Sequence, residues 1–284
     1  MKTEIEQKVI DYYITDKLSG KKIASLLQIN VKTVFAILKR NNVKSRTLSE
    51  SAMKYTCQDD FFNVIDTEKK AYWLGVLFAD GNITKKANKS GQIIFSSKDK
   101  EWVELFLLDV SSNNSPNCEY HKVFKKYIWK AQITSAQMYN DLNNLGCTPA
   151  KTKTIKVPIL NDKLIHHFIR GYFDGDGTVG VYKNLKNNDW KIIKSGFCSG
   201  SQEFIIDLLK ILPVKNKTIK QVKNCYITQH SLHDSLNLFE YMYKNYTRCL
   251  DRKRQVFITY LDTYKPRKRF NDYNRPSLWD EGIV

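Results

Sequence analysis

The sequence predicts an α+β fold in which a small all-α domain precedes two tandem αββαββα halves. Two observations support this. The first 50 residues keep a helical spacing of apolar positions, and from Thr67 onward the chain repeats itself. "AYWLGVLFADGNI" (71–83) aligns with "FIRGYFDGDGTV" (168–179). The expected boundaries are 1–50 for the helical domain, 51–66 for a linker, 67–157 and 158–264 for the halves, and 265–284 for a basic tail.

The helical domain should contain three short helices. The stretch "KKIASLLQINVKTVFAILKRNNV" predicts a helix over 21–27, a short turn around Ile29, and a helix over 31–40. This stretch resembles the helix-turn-helix of DNA recombinases and repressors, whose second helix of the pair enters the major groove. The outward candidates for DNA contact are Lys32, Thr33, Lys39 and Arg40, with Arg46 beyond them at the start of an arm. A small helical bundle without a DNA role remains the alternative.

The duplication extends past the first helix of each half. Gly75 matches Gly171 with a separation of 96 residues, whereas Phe95 matches Phe197 with a separation of 102. Two further stretches follow in the same order. A separation that drifts by a few residues indicates loop insertions within a true duplication.

Each half should build an antiparallel sheet with one apolar and one polar, basic face. Residues 127–133 alternate between the two kinds of side chain. Helices normally cover the apolar face of such a sheet, so the other face stays open, and two such sheets side by side would make a long basic surface. The candidates for DNA contact on these sheets are Lys130, Gln132, Lys191, Lys194 and Lys223.

The charge balance favours a polyanionic partner. The chain has 46 basic and 29 acidic residues, for a net charge of +17. A solvated lysine-rich surface is the alternative. No apolar run approaches the roughly 18 residues of a membrane span, and no secretion signal is visible at the N-terminus. We therefore expect no membrane partner and a cytoplasmic location, whether a nucleoid, a phage-infected cell or an organelle.

The cysteines and histidines give no metal pattern. Six cysteines are scattered without a CxxC pair, which argues against a zinc site and a disulfide framework. His230 and His233 lie three apart without a second ligand pair. A calcium loop beginning at Asp174 fails because Thr178 and Leu185 stand where ligands are required.

Two aspartates end the duplicated helices, where the backbone dipole is unfavourable to negative charge. Asp80 and Asp176 match each other, whereas Asp174 matches Phe78 and is not shared. Each helix carries small residues four apart, on one face: Gly75 and Ala79, and Gly171 and Gly175.

If the helices pack through these small residues, the two carboxylates emerge together. A divalent cation would relieve their repulsion, and Mg²⁺ uses one or two carboxylates together with waters and substrate phosphates. Two equivalent acids suit a duplex, which offers two equivalent phosphodiesters.

The two motifs, "WLGVLFADG" (73–81) and "IRGYFDGDG" (169–177), resemble those of the LAGLIDADG homing endonucleases in their single-chain, two-motif form. The resemblance covers roughly residues 67–263. It implies a monomer whose two halves form a DNA-binding saddle, and Mg²⁺-dependent cleavage of both strands of double-stranded DNA that leaves 3′ overhangs. Asp80 and Asp176 match the metal-binding acids.

The resemblance also implies further catalytic residues. The basic residue near the end of each half maps best onto Lys151 and Lys253, although Lys153, Arg252 and Arg254 leave this register open. The polar residue that positions water would be Asp99 in the first half. In the second half it would be Ser201 or Gln202, and we take Gln202 as the candidate.

Other activities on the same scaffold remain open. These are an RNA-splicing maturase, a DNA-binding regulator that does not cut, and a recombinase-like transcription factor whose C-terminal part only dimerises. The duplicated acids have no purpose in the last of these. A freestanding or intron-encoded mobile element is expected rather than an intein, because no splicing Cys or Ser start and no terminal His-Asn pair are visible.

Overall fold

The computed structural model describes residues 3–16, 18–46, 55–85, 91–123, 125–184 and 187–263. The chain divides into two compact units, Met1–Thr56 and Cys57–Val284. The predicted basic tail over 265–284 and residues 51–54 of the predicted linker lie outside the described residues.

The first unit contains the three predicted helices. They are α1 (Glu4–Ile14), α2 (Gly20–Leu27) and α3 (Val31–Arg40). The side chains of Ser19 and Asn30 accept backbone N–H groups at the starts of α2 and α3, so each helix begins at a capping residue. Apolar side chains from all three helices form the core: Val9, Tyr13, Ile23, Ala24, Val34, Ile37 and Leu38.

The second unit contains two halves of the same architecture. The first half consists of α4 (Glu68–Asp80), β1 (Gly81–Lys85), β2 (Gly91–Ser97), α5 (Lys100–Asp109), β3 (Asn117–His121), β4 (Lys126–Thr134), α6 (Ala136–Asn144) and a 3₁₀ turn (Lys151–Lys153). The second half consists of α7 (Asp162–Asp176), β5 (Thr178–Asn184), β6 (Asn187–Ser199), α8 (Gln202–Ile211), β7 (Ile219–Val222), β8 (Cys225–Ser231), α9 (His233–Tyr243) and α10 (Asp251–Thr263).

The sheets confirm the predicted fold class. Both are antiparallel, and their strand orders, β1-β2-β4-β3 and β5-β6-β8-β7, are equivalent. Phe95 pairs with Ala131 in the first sheet, and Phe197 pairs with Thr228 in the second, so the matched residues occupy matched places. All four are buried under the helices, as the alternating pattern predicts.

Helices α4 and α7 pack closely through their small residues. A β-carbon added at Gly75 would overlap the carbonyl oxygen of Phe168, and one added at Gly171 would overlap that of Tyr72. A β-carbon at Gly175 would overlap the side chain of Ala79. Only glycine permits this approach of two backbones, so the predicted small-residue contact is confirmed.

The contact between α4 and α7 is polar on one side and aromatic on the other. Tyr72 and Phe168 occupy equivalent positions, as do Asp174 and Phe78. On one side the rings of Phe78 and Phe168 meet edge to face at 5.2 Å. On the other side the Tyr72 hydroxyl donates to Oδ2 of Asp174 at 2.9 Å. Equivalent positions thus form an aromatic pair on one side and a hydrogen bond on the other.

Asp174 is a buried junction of the second half, with 1% of its surface exposed. Besides the Tyr72 hydroxyl, it accepts the backbone N–H of Leu250 at 2.7 Å and the hydroxyl of Tyr243 at 3.4 Å. Burial raises the pKa of this carboxyl to about 6, while the Leu250 N–H and the Tyr72 hydroxyl act in the opposite direction. Asp174 therefore holds the start of α10 against α7.

Arg170 of α7 is fully buried and joins the two halves. Its guanidinium pairs with Glu68 at the start of α4. It also donates to the carbonyls of Met242 at 2.7 Å and Arg248 at 2.8 Å, and to Nδ1 of His167 at 2.7 Å. The Arg170 guanidinium has only N–H donors, so each of its partners must be an acceptor. Nδ1 of His167, which faces it, must therefore carry no proton.

Replacing His167 by glutamine should flatten the acid side of the stability profile. Burial, followed by the charge of Arg170, lowers the pKa of His167 from 6.5 to about 3. The unfolded chain therefore takes up a proton that the folded chain refuses, and stability falls as pH decreases below 6.5. We expect urea unfolding of His167→Gln to depend less on pH between 6.5 and 4 than that of the parent. Equal slopes would contradict this.

Candidate active site and nucleic-acid interface

Asp80 and Asp176 are the last residues of α4 and α7, the two helices that pack through glycine. A β-carbon added at Gly175 would lie 3.1 Å from Oδ2 of Asp80, so this carboxylate reaches the facing helix. Asp80 is exposed and Asp176 is half-buried. The structure therefore brings the two predicted acids to the same end of the helix pair.

The pKa values of both carboxyls are raised. Desolvation, and then the charge of Asp176, raise the pKa of Asp80 to about 6. Desolvation raises the pKa of Asp176 as well. Lys253 and Lys151 oppose both shifts. A cation held between two carboxylates on adjacent helix ends would relieve the repulsion between them.

Lys151 and Lys253 occupy equivalent places beneath these helix ends. Nζ of Lys253 donates to the carbonyls of Phe173 at 2.7 Å, Gly175 at 3.1 Å and Gly177 at 2.5 Å. Nζ of Lys151 donates to the carbonyl of Gly81, the counterpart of Gly177. Both lysines are buried, with 9% and 7% of their surfaces exposed. They satisfy carbonyls that the helix ends leave without partners.

This placement distinguishes the two lysines from their basic neighbours. Lys153 and Arg252 are exposed and Arg254 is half-buried, whereas Lys151 and Lys253 alone among these five are buried. Burial lowers the pKa of Lys253 to about 8. Because three carbonyls engage its three N–H bonds, Lys253 holds the end of α7, and with it Asp176, in position.

The predicted water-positioning residues are placed differently in the two halves. Asp99 directly precedes α5, and its Oδ2 accepts Nε of Arg252 at 3.0 Å. The residue directly before α8 is Ser201, whose buried hydroxyl donates to the carbonyl of Ile155 at 2.7 Å. Gln202 is the exposed first residue of α8 and is thus equivalent to Lys100. Taking Gln202 as the counterpart of Asp99 was wrong by one position, and Ser201 is that counterpart.

The open faces carry two of the predicted basic contacts. Lys130 and Gln132 lie on the open face of the first sheet, because Ala131 and Ile133 between and beside them are buried. Lys130 forms an ion pair with Glu119 at 2.9 Å. Lys194 lies on the open face of the second sheet, with its Nζ 5.6 Å from the centre of the Tyr182 ring.

Two other sheet candidates lie elsewhere. Lys191 shares its face with Ile193, which is buried under the helices, so Lys191 does not lie on the same open face as Lys194. Successive side chains of β6 point to opposite faces from 191 to 194 without a bulge. Two lysines three residues apart therefore lie on opposite faces. Lys223 is exposed in the tight turn between β7 and β8, with a positive φ of 53°.

In the first unit, the predicted outer face of α3 is exposed. Its members are Lys32, Thr33, Lys39 and Arg40. Arg46 differs from its prediction as the start of an arm, because its guanidinium lies 4.3 Å from the centre of the Tyr13 ring. The same guanidinium donates to the carbonyl of Leu18, and the Arg46 backbone N–H donates to the Tyr13 hydroxyl at 2.8 Å. Arg46 therefore closes the core of its own unit.

The acids fit a hard cation better than a soft one. Among the described residues, no group of three or more His, Cys, Asp or Glu side chains lies together in a way that would hold a metal ion. Two carboxylates with waters and substrate phosphates are the surroundings that Mg²⁺ uses.

In the part of the chain that the structure describes, no helix has the length and apolarity to cross a membrane.

Sequence comparisons give partial relatives. No protein-family model matches the chain. A probable translation initiation factor IF-2 of Methanocaldococcus jannaschii is 28% identical over 178 residues, which is 59% of this chain and 13% of that protein. The DNA-directed RNA polymerase subunit Rpo1C of the same organism is 28% identical over 162 residues, which is 53% of this chain and 17% of that protein. The chain thus spans less than a fifth of either relative.

Structural comparisons give similar chains of LAGLIDADG and homing-endonuclease type. The homing endonuclease I-WcaI, bound to its DNA recognition sequence, has a TM-score of 0.46 at 16% identity, with 76% of this chain and 96% of that chain covered. The LAGLIDADG homing endonuclease I-LtrWI, bound to target DNA, has a TM-score of 0.44 at 11% identity, with 79% and 96% covered. Of these two structures, I-LtrWI is described as a LAGLIDADG homing endonuclease.

Proposed function

We propose that this protein is a sequence-specific endonuclease of double-stranded DNA that hydrolyses one phosphodiester in each strand with Mg²⁺ and leaves 3′ overhangs. The observation that carries the proposal is the pair of carboxylates, Asp80 and Asp176, at the adjoining ends of two duplicated helices. In a protein that only binds DNA, two carboxylates at the bound duplex would repel the phosphates and weaken binding. The intact pair therefore favours a nuclease over a regulator that does not cut.

Asp80 and Asp176 would hold the metal. Bound there, Mg²⁺ supplies charge neutralisation at the phosphate and an activated water. Lys151 and Lys253 fix the backbone from which each acid projects, so that the carboxylates are held in place before DNA arrives. Asp99 and Arg252 form an ion pair that joins α5 to α10 beside this site.

The open faces of the two sheets would lie in the major groove on either side of the cut. Their side chains alternate with buried ones, so every second residue can meet a base edge. Lys130 and Lys194 add positive charge to these faces. A net charge of +17 predicts that binding weakens steeply as salt is added. The fold of the second unit needs no second copy to supply both acids, which supports action as a monomer.

The helix-turn-helix unit would lengthen the bound site. Removal of residues 1–50 should weaken binding at least about tenfold, because the phosphate and base contacts of α3 are lost. Cleavage at saturating protein should persist, because both acids belong to the second unit. Filter binding and cleavage rates of the truncated and full chains measure the two effects. Loss of cleavage at saturation, with the fold retained by circular dichroism, would contradict this division.

The proposal is tested with DNA that the protein itself selects. Repeated binding selection from a pool of random duplexes yields the target, which is then incubated with the full chain and either Mg²⁺ or EDTA. Cleavage of both strands in Mg²⁺ alone is the expected result. A chain that binds the selected duplex tightly and leaves it uncut in Mg²⁺ would refute the nuclease function and leave a DNA-binding regulator.

A further inference from the structure

The two open faces have diverged at most positions but keep one residue in common. Lys130 of the first sheet corresponds to Ile227 of the second, and Gln92 corresponds to Lys194. Gln132 corresponds to Gln229: each lies on the third strand of its sheet, two residues beyond Lys130 or Ile227. The same side chain therefore recurs at the same point of two otherwise different surfaces.

The backbone around the two glutamines is built in the same way. Nδ2 of Asn114 donates to the carbonyl of Gln132 at 2.9 Å, and Nδ2 of Asn216 donates to the carbonyl of Gln229 at 3.1 Å. Both asparagines precede the edge strand of their sheet, so each replaces a strand neighbour at this point. Matching side-chain contacts in both halves fix the strand where each glutamine projects.

The amide groups of both glutamines are available to a ligand. Gln132 is half-buried and Gln229 is exposed. Within the described part of the chain, neither side-chain amide forms a hydrogen bond, and the contacts from Asn114 and Asn216 are to the backbone carbonyls of the glutamines. Their neighbours across the strands, Ile94 and Gly196, offer no polar side chain to compete for them.

We infer that Gln132 and Gln229 each read an adenine in the major groove, and that the two adenines occupy mirrored positions in the DNA target. The inference rests on the proposed function. A glutamine amide offers one acceptor and one donor, which match N6–H and N7 of adenine. Because the halves are related by duplication and share strand order, equivalent residues face equivalent base pairs on opposite strands. The differing residues around the glutamines should read an asymmetric sequence.

The test compares targets selected from random duplexes by the full parent chain and by Gln132→Ala and Gln229→Ala. The parent target should show adenine at two positions equidistant from the centre, on opposite strands. Gln132→Ala should lower the preference for adenine at one of them at least about tenfold, and Gln229→Ala should do so at the other. Gln137→Ala is the matched control, because that exposed glutamine lies on helix α6 and binds Asp141 at 2.8 Å.

The outcomes separate this inference from the function on which it rests. A parent chain that enriches and cuts a target without mirrored adenines overturns the inference and leaves the nuclease standing. The inference is also overturned if Gln132→Ala and Gln229→Ala lower the base preference at positions that are not mirrored. An equal loss of affinity for every sequence overturns it as well. A parent chain that enriches no sequence contradicts the proposed function itself. Relaxed preference confined to the two mirrored positions, with the control unchanged, supports the inference.

Discussion

Replacing either Asp80 or Asp176 by asparagine should lower the rate of double-strand cleavage at least about 10³-fold, because the metal loses a charged ligand at the step where negative charge develops. Asparagine keeps the size of the side chain, so the packing of α4 against α7 should persist. Binding of the selected duplex should be unchanged or tighter, because a negative charge facing the phosphates has been removed. Cleavage rates under single-turnover conditions and equilibrium binding measure the two quantities separately.

Asp207→Asn is the matched control for these variants. Asp207 lies on α8 and forms an ion pair with Lys210 at 2.7 Å. This helix packs on the apolar face of the second sheet, opposite the open face. Cleavage by this variant should equal that of the parent chain. If Asp80→Asn or Asp176→Asn cut as fast as the control, the carboxylates would hold no catalytic metal.

Replacing Arg170 by methionine should reduce the free energy of unfolding by about 3–5 kcal/mol, the usual cost of breaking a buried ion pair by removing one partner. Arg170 is fully buried, and the substitution leaves Glu68, His167 and the carbonyl of Met242 without its N–H groups. Methionine fills most of the volume, so the loss would report the polar contacts rather than a cavity. Urea denaturation of the parent and variant chains measures the difference.

Lys210→Met is the comparison for Arg170→Met. It removes an exposed lysine from its pair with Asp207, where the expected change is at most about 1 kcal/mol. A loss for Arg170→Met no larger than that of Lys210→Met would mean that the buried pair does not join the halves.

The elements closest to the paired acids follow from the sequence because their requirements are local. A close contact between two helices needs small residues four apart on each. The segments "WLGVLFADG" and "IRGYFDGDG" both contain such a pair. The strict alternation of a strand likewise predicts that Lys130 and Gln132 share an open face. The sequence does not predict that Lys151 and Lys253, rather than their basic neighbours, are the buried residues. Burial of a lysine depends on which carbonyls lie within its reach in the folded chain.

The contacts that the sequence does not predict join residues far apart along the chain. Asp174 was correctly separated from the paired acids, but its partners Tyr72 and Leu250 are 102 and 76 residues away. Arg46 was expected to extend outward, and the Tyr13 ring instead offers it a face within its own unit. Lys191 and Lys194 are three residues apart on β6, so the two-residue period of the strand puts them on opposite faces of the sheet.

The central claim is that Asp80 and Asp176 together bind a divalent metal at the DNA. Mn²⁺ can be titrated into the full chain bound to its selected duplex and followed by electron paramagnetic resonance, which reports the free ion. The parent complex should take up Mn²⁺ that the complex of the Asp80→Asn, Asp176→Asn double variant does not. Identical uptake by the two complexes, with equal occupancy of the duplex, would contradict the claim.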